Sequence, residues 1–208
     1  MEPITTNAEQ NLAPRKRLVL QSIEAVRQKF VESPDIFLTE EDVRSHLFAN
    51  LLREPFSVVK TTEDNGRSIE LHSEIRWYGH GETKMKCRSD IVIIAPSTLT
   101  TTASGLELPS KQFGFNEFST IIELKLRRSS KESDAKFLKK IKEDIEKLEK
   151  IRRYVQSDFD GHVVIFDKGN DLEQRVHDLR NEHNFTIVYS HSNPRDRNRQ
   201  PHHPAVEH

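Results

Sequence analysis

Cysteine is almost absent from this sequence, and long apolar runs are absent altogether. Cys87 is the one cysteine among 208 residues, which excludes an internal disulfide and a zinc site built from several cysteines. Such sparing use of cysteine is typical of a protein in the reducing cytoplasm. Apolar runs do not approach the ~20 residues of a membrane span, and the opening MEPITTNAEQ lacks the basic and apolar regions of a signal peptide. A cytoplasmic protein with no membrane partner is therefore expected.

An excess of charge of either sign is also missing. The chain carries 32 Lys and Arg against 33 Asp and Glu, a formal net charge of -1. No global positive field attracts nucleic acid, so a nucleic-acid partner would have to be held by a local basic patch. With 31% charged and 34% hydrophobic residues, the composition is typical of a globular chain with one sizeable core, or at most two small ones.

Apolar periodicity predicts the element order helix, helix, three strands, helix, strand, helix, strand. Helices are predicted at 15–31, 133–155 and 172–181. A further helix is predicted to begin at a capping box formed by Thr39 and Asp42 and to end before Pro55. Strands are predicted at 69–77, 90–94, 120–126, 163–166 and 185–189. The charged residues of the helix at 133–155 are interpreted as a solvated face.

This order of elements predicts a single α/β domain over residues 15–191, with a central mixed sheet and helices on both faces. A strand, a long helix and a buried strand in succession indicate a right-handed crossover between parallel strands. Residues 96–118 are rich in Ser, Thr, Gly and Pro and are interpreted as a long hairpin loop or insertion. Residues 1–14 are expected to form a flexible N-terminus, and residues 192–208 a disordered tail.

The strand at 120–126 carries two charges within an apolar run. Side chains alternate along a strand with period two, so Glu123 and Lys125 share one face. Asp90 begins the preceding predicted strand, and in an antiparallel hairpin the start of one strand meets the end of the next. Asp90 is therefore expected beside Glu123 and Lys125, with roughly 5 Å between directly opposed positions.

Two carboxylates and a lysine at one end of a sheet suit metal-assisted phosphodiester hydrolysis. Mg²⁺ prefers carboxylate oxygens and keeps several of its waters. It can polarise a phosphodiester and lower the pKa of a bound water. A lysine on the same face can orient or deprotonate that water, or offset charge on the phosphoryl group.

Asp90, a hairpin and then Glu123-Leu124-Lys125 resemble the PD-(D/E)xK superfamily of restriction-endonuclease-like nucleases. The common core of that superfamily, helix, three strands, helix and strand, corresponds to residues 39 to about 166. The resemblance implies Asp90 and Glu123 as metal ligands, Lys125 as the catalytic lysine and the Leu124 carbonyl as a further ligand. It implies Mg²⁺ as the cofactor, with Mn²⁺ as an alternative. Ser89 stands before Asp90 where the pattern has proline, a position that varies among members.

Many members of that superfamily also carry a glutamate at the start of the first core helix, which reaches the metal directly or through water. Glu40 and Glu41 occupy that place. Glu40 precedes Val43 by three residues and Leu47 by seven, which puts it on the inward stripe of the helix. Glu40 is therefore preferred as a metal ligand, and Glu41 stays an alternative.

Basic residues flank the predicted site on both sides. Lys84, Lys86 and Arg88 precede it, and Arg127, Arg128 and Lys131 follow it. Two interpretations stay open: these residues bind nucleic-acid phosphates, or they are ordinary strand-end charges. Glu74, on the polar face of the first strand, is expected to be exposed rather than to approach the metal.

The sequence thus favours a Mg²⁺-dependent nuclease that acts on DNA through in-line attack of a metal-activated water. The alternative is a catalytically inactive nuclease-fold module that binds or regulates within a larger nucleic-acid-processing complex. The near-zero net charge and the lack of a recognisable DNA-reading domain support that alternative. The sequence leaves open the choice between DNA and RNA, and between a monomer and a dimer.

Overall fold

The computed structural model describes residues 7–53, 55–78, 86–99, 118–128, 131–155 and 158–192. Its first two helices are α1 (Asn7–Glu32) and α2 (Glu40–Leu51), separated by a 3-10 turn at Pro34–Ile36. The break after α1 follows from Pro34, because a proline disfavours helical geometry in the residue before it. α1 begins at Asn7, before the predicted helix start at residue 15. Residues 7–14 of the predicted flexible N-terminus are therefore helical, and residues 1–6 lie outside the described residues.

The start of α2 confirms the predicted capping box. The Asp42 N–H donates to Thr39 Oγ1 at 3.2 Å, and the Thr39 N–H donates to Asp42 Oδ2 at 2.8 Å. These two bonds satisfy N–H groups that a helix start leaves without partners. Val43, Leu47 and Leu51 form the buried stripe of the helix, as their spacing predicts. Thr39 thereby fixes where the helix begins, and Glu40 is its first residue.

Seven strands and two further helices follow in the described part of the chain. The strands are β1 (Lys60–Thr61), β2 (Arg67–Ser68), β3 (Leu71–Tyr78), β4 (Lys86–Ile94), β5 (Phe118–Arg127), β6 (Asp160–Asp167) and β7 (Thr186–His191). The helices are α3 (Asp134–Val155) and α4 (Glu173–Glu182). A second 3-10 turn covers Pro96–Thr98.

Five of these strands form one mixed sheet in the order β3-β4-β5-β6-β7. β3, β4 and β5 pair antiparallel, whereas β5, β6 and β7 pair parallel. α3 connects β5 to β6, and α4 connects β6 to β7. β1 and β2 form a separate two-stranded hairpin. The mixed sheet of the sequence prediction is confirmed.

β4 begins earlier than predicted, which changes the position of Asp90. The strand starts at Lys86, so Asp90 lies inside β4 and not at its first residue. The apolar run at 91–94 marks only the part of β4 that is buried on both faces. The preceding part pairs with β3 and carries the buried Ser89, whose Oγ accepts a hydrogen bond from Trp77 Nε1 at 2.8 Å. A half-exposed strand of this kind has no continuous apolar run.

Two apolar layers cover the two faces of the sheet. α1 and α2 pack on the face that carries Ile122, Leu124 and Leu126. α3 and α4 pack on the opposite face, which carries Ile121 and Ile165. The chain is therefore an α/β domain with helices on both faces, as predicted, and the face shared by Glu123 and Lys125 is the one under α3.

Most residues of two predicted segments lie outside the described residues. Of the long loop predicted at 96–118, residues 100–117 lie outside them, and of the predicted tail at 192–208, residues 193–208 lie outside them. Ser192 still belongs to the fold, because its N–H donates to the Asp167 carbonyl at 2.9 Å. Among the helices of the described residues, none has the length and apolar character needed to cross a membrane.

Candidate active site

The site lies where the backbone pairing of β4 with β5 ends. Within the described residues that pairing runs as far as Ile91 opposite Ile122, while β4 continues to pair with β3 up to Lys86. Beyond that point two N–H groups of β5 are bonded by carboxylates. The Leu124 N–H donates to Asp90 Oδ2 at 2.8 Å, and the Leu126 N–H donates to Glu40 Oε2 at 3.2 Å. Carboxylates thus take the place of strand carbonyls at the opening between β4 and β5.

Asp90, Glu123 and Lys125 meet at this opening. Asp90 is bonded to the backbone of Leu124, the residue between the other two. The Glu123 side chain is fully buried, and the Lys125 side chain is 18% exposed. Lys125 Nζ donates to the Leu124 carbonyl at 3.2 Å, so that carbonyl also faces the site. Asp90 therefore has the neighbours expected from an antiparallel hairpin, although it lies inside β4 and not at the predicted first residue of the strand.

Of the two candidate glutamates at the start of α2, Glu40 reaches the site. Its Oε1 lies 3.6 Å from Lys125 Nζ, and its Oε2 accepts the bond from Leu126. Glu41 points away, with a side chain that is 69% exposed and pairs with Arg44. The inward stripe of α2 explains the difference, because Glu40 lies one turn before Val43 and Arg44 on the face toward the sheet.

Two residues of α3, Asp144 and Lys147, complete the site, and neither was predicted. Asp144 Oδ2 lies 2.9 Å from Lys125 Nζ, and Asp144 Oδ1 lies 3.2 Å from Lys147 Nζ. Lys147 Nζ donates to Glu123 Oε2 at 2.5 Å and to the Arg88 carbonyl at 3.0 Å. Lys147 therefore connects β4 to β5 from the α3 side, at the level where their backbones no longer pair.

The sequence contains a signal for Asp144 that the solvated-face interpretation missed. Asp144 follows Ile141 by three residues and precedes Leu148 by four, which places it on the buried stripe of α3. Lys147 follows Asp144 by three residues and so lies beside it. A carboxylate on an apolar stripe requires a buried partner, and Lys125 and Lys147 are those partners.

Burial changes the titration of the groups in the site. It raises the pKa of the Glu123 carboxyl to about 8, which the Lys147 ammonium opposes and the charges of Asp90 and Asp144 reinforce. Burial also lowers the pKa of Lys147, but the charges of Glu123 and Asp144 outweigh it and leave that pKa well above its ordinary value. Lys125 behaves similarly, since Asp144 and Glu40 outweigh the effect of its burial and raise its pKa.

Arg127 does not lie where the sequence prediction of a phosphate contact requires. Its side chain is fully buried and binds the buried Asp167 through two bonds of 2.6 Å. It also pairs with Asp134 at 2.6 Å, and its guanidinium lies 4.9 Å from the centre of the Phe137 ring. A guanidinium so completely enclosed by protein partners connects β5 to β6 and α3 and does not face a phosphate. The prediction for Arg127 is corrected accordingly.

The other predicted phosphate-binding residues lie at the surface or outside the described part of the chain. Arg128 and Lys131 are exposed, and Arg88 is 47% exposed and pairs with Glu74. Lys84 and the side chain of Lys86 lie outside the part of the chain that the structure describes. Arg88 is thus the predicted basic residue that lies beside the site, since its own carbonyl binds Lys147.

The oxygen donors at the opening suit a hard cation. Glu123 Oε1 is buried and has no hydrogen-bond partner among the described residues. Leu124 follows Glu123 in β5, and its N–H is bonded by Asp90 from β4. Carboxylate and carbonyl oxygens are the ligands that Mg²⁺ prefers. The described residues hold no group of three or more His, Cys, Asp and Glu side chains arranged around a common metal position.

Comparisons of this chain with protein families, with curated proteins and with solved structures found no match. Its function is therefore inferred from the geometry and chemistry of the site.

Proposed function

We propose that this protein is a metal-dependent nuclease of the PD-(D/E)xK type that hydrolyses phosphodiester bonds of DNA. The observation that carries the proposal is the meeting of Asp90, Glu123, Lys125 and Glu40 at the opening between β4 and β5. The order α2, β3, β4, β5, α3 and β6 supports a restriction-endonuclease-like core as well.

In this proposal Asp90, Glu123 and the Leu124 carbonyl hold Mg²⁺ or Mn²⁺, and Glu40 contributes directly or through a water. The bound metal supplies Lewis-acid polarisation of the phosphoryl group and a water of lowered pKa. Since Glu123 is buried and its carboxyl has a raised pKa, binding of the cation requires the loss of its proton.

The lysine of the motif has a separate task. The Lys125 ammonium is held between Asp144 and Glu40 at 2.9 and 3.6 Å, so its direction is fixed before substrate binds. From that position it orients the attacking water or offsets charge on the phosphoryl oxygens, which are the two roles open to an ammonium beside a phosphodiester. Its raised pKa favours the charged form at neutral pH.

A second candidate function is a catalytically inactive nuclease-fold module that binds nucleic acid within a larger complex. One observation favours it: Lys125 and Lys147 already pair with the carboxylates of the site, so the chain does not need a cation to offset their charge. The formal net charge of -1 also suits a module that relies on other subunits for DNA affinity.

A cleavage assay separates the two functions. Supercoiled plasmid, single-stranded DNA and RNA are incubated with the wild type, Asp90→Asn and Lys125→Ala, in Mg²⁺, in Mn²⁺ and in EDTA. We expect the wild type to cut DNA only with metal, and both variants to lose about 10²- to 10⁴-fold in rate while staying folded. Lys139→Ala is the matched control, because this lysine is 77% exposed on α3 and should leave the rate unchanged.

Absence of metal-dependent cleavage of any substrate by the wild type would contradict the nuclease proposal and favour the binding module. Cleavage of RNA alone would replace the DNA assignment. If Lys125→Ala cuts as fast as the wild type, the role given to this lysine is wrong even though the protein is a nuclease.

A further inference from the structure

Glu74 adopts an unusual backbone conformation directly opposite Asp90. Its φ of 57° lies in the left-handed region, which a residue other than glycine rarely adopts within a strand. The register of β3 with β4 pairs Ser73 with Ile91 and Ile75 with Ser89, so Glu74 faces Asp90. Such conformations persist where surrounding contacts hold them, and they concentrate at functional sites.

The contacts that hold Glu74 are two arginines on different elements. Its Oε1 pairs with Nη1 of Arg44 on α2, and its Oε2 pairs with Nη1 of Arg88 on β4. The Glu74 side chain is 33% exposed, so this ion-pair group lies at the surface beside the opening between β4 and β5. Each carboxylate oxygen therefore has its own guanidinium partner.

Arg44 belongs to the wall of the site. It lies one turn after Glu40 on the same face of α2, and its side chain is only 12% exposed. Its Nε is buried and lacks a hydrogen-bond partner within the described chain, while its other amino group pairs with Glu41. Arg88 is joined to the site through its carbonyl, which accepts a bond from Lys147.

A carboxylate bound by two guanidiniums resembles a bound phosphate in charge and in its acceptor oxygens. Both groups present two oxygens that share one negative charge, and arginine binds either of them through paired N–H donors. The charges of Arg44 and Arg88 are offset by those of Glu41 and Glu74. Displacement of Glu74 alone would leave one net positive charge beside Asp90.

We propose that Arg44 and Arg88 form a subsite for a DNA backbone phosphate next to the bond that is cut, and that Glu74 fills this subsite in the free protein. The inference rests on the proposed function, since it assigns the subsite to the strand that the site hydrolyses. An entering phosphate displaces the Glu74 carboxylate and replaces its ion pairs with Arg44 and Arg88. Glu74 thereby weakens DNA binding in the wild type.

DNA affinity measured by fluorescence anisotropy in EDTA, at several salt concentrations, tests this subsite without cleavage. The proteins are the wild type, Glu74→Gln, Arg44→Gln and Arg88→Gln. We expect Glu74→Gln to bind DNA about threefold more tightly, the effect of roughly one added phosphate contact. Each arginine variant should bind about threefold more weakly and reduce the slope of log K against log salt by about one.

Glu173→Gln and Arg180→Gln are matched controls, because they break an ion pair of 2.7 Å on α4 and should bind DNA like the wild type. Competition with inorganic phosphate shows whether the subsite also accepts a free phosphate. Added phosphate should weaken DNA binding by the wild type more than DNA binding by the double variant that carries both Arg44→Gln and Arg88→Gln. Thermal unfolding of each variant confirms that it is folded, and Glu74→Gln tests the subsite even if an arginine variant is not.

Unchanged affinity and salt slope in Glu74→Gln and in both arginine variants would overturn the subsite, as would the absence of DNA binding by both the wild type and Glu74→Gln. The proposed function can fail separately. If the variants shift affinity as expected but the wild type cuts no DNA in Mg²⁺, the subsite stands and the nuclease activity does not. If the wild type cuts DNA but the variants bind it equally well, only the subsite fails.

Discussion

Asp144 bridges the two ammonium groups of the site, with one oxygen 2.9 Å from Lys125 Nζ and the other 3.2 Å from Lys147 Nζ. Asp144 does not lie on the strand that carries the motif, so its effect on the proposed reaction passes through those two lysines. We interpret it as a positioning residue that holds Lys125 toward the opening between β4 and β5. Groups that orient a reacting side chain in this way commonly affect rate more than substrate binding.

We therefore expect Asp144→Asn to lower the kcat of the proposed nuclease reaction about 10- to 100-fold with little change in the KM for DNA. The amide keeps the shape of the side chain but removes the charge that raises the pKa of Lys125, so that pKa should fall toward its ordinary value. The pH–rate profile should accordingly lose activity at a lower alkaline pH than in the wild type.

The control is Glu143→Gln, the neighbouring carboxylate of α3, whose side chain is 57% exposed. A parallel change of KM and kcat in Asp144→Asn, with an unmoved alkaline limb, would indicate a purely structural role for Asp144.

At the residue scale, the sequence predicts the neighbours Asp90, Glu123 and Lys125 because a local rule, the hairpin, connects them. It does not predict Asp144 and Lys147, because a charged residue on a long charged helix looks solvated until its partners across the sheet are known. Arg127 shows the same limit in the opposite direction. A basic residue at the end of a strand resembles a phosphate ligand, and only the distant Asp167 and Asp134 reveal that it is buried.

At the scale of elements, capping chemistry is the most local signal, and the prediction for α2 is confirmed in detail. The start of β4 is missed because a strand that is half exposed along part of its length shows no apolar run there. The earlier start of α1 is missed because residues 7–14 show no apolar repeat and include Pro14, although Ala8, Glu9 and Gln10 favour a helix.

The cap of α2 also bears on function, since Glu40 is the first residue of that helix. Thr39→Ala removes the hydroxyl that accepts the Asp42 N–H bond, and we expect the free energy of unfolding to fall by about 1 kcal/mol. Urea unfolding followed by circular dichroism measures the change. Ser33→Ala is the matched control, because Ser33 precedes the 3-10 turn without a side-chain capping bond and should cost much less.

An equal loss of stability in Thr39→Ala and Ser33→Ala would show that the capping bond of Thr39 does not stabilise the helix.

At the scale of the whole molecule, the site lies where the two helical layers reach the same opening in the sheet. α2, on one face, supplies Glu40 and Arg44, whereas α3, on the other face, supplies Asp144 and Lys147. Such a meeting is possible only beyond the end of backbone pairing between β4 and β5, because a continuous sheet would separate the two layers. The long-range register that produces this opening is not encoded in any single segment.

The stability of the whole domain should depend on His162, which is buried in β6 with both ring nitrogens lacking hydrogen-bond partners in the described structure. Burial lowers the pKa of its imidazole to about 4, against 6.5 for an ordinary histidine. Above pH 6.5 the ring is neutral in both folded and unfolded chains and does not affect stability. As the pH falls from 6.5 to 4, the imidazole takes up its proton in the unfolded chain before it does so in the folded chain. The free energy of unfolding therefore falls by about 3 kcal/mol.

Between pH 6.5 and pH 4 the free energy of unfolding of the wild type should fall by about 3 kcal/mol more than that of His162→Leu. Urea unfolding at each pH measures this difference. His177→Leu, at an exposed position of α4, is the control and should keep the pH dependence of the wild type. Identical pH dependence in His162→Leu and the wild type would contradict the prediction.

Metal binding should stabilise the whole domain in a pH-dependent manner, because Asp90 and the buried Glu123 are proposed as its ligands. A ligand that binds only the folded state adds about 2.7 kcal/mol at a concentration of 100 Kd, which raises Tm by roughly 5 to 10 °C for a chain of this size. Glu123 must be deprotonated to bind a cation, and burial sets the pKa of its carboxyl at about 8. Stabilisation by Mg²⁺ or Mn²⁺ should therefore be small at pH 6.5 and larger at pH 8.5.

Differential scanning fluorimetry with and without each metal measures the shift in Tm, and Asp90→Asn should show a much smaller shift than the wild type at either pH. Equal shifts in the wild type and in Asp90→Asn would place the cation elsewhere, and a larger shift at the lower pH would exclude Glu123 as a ligand.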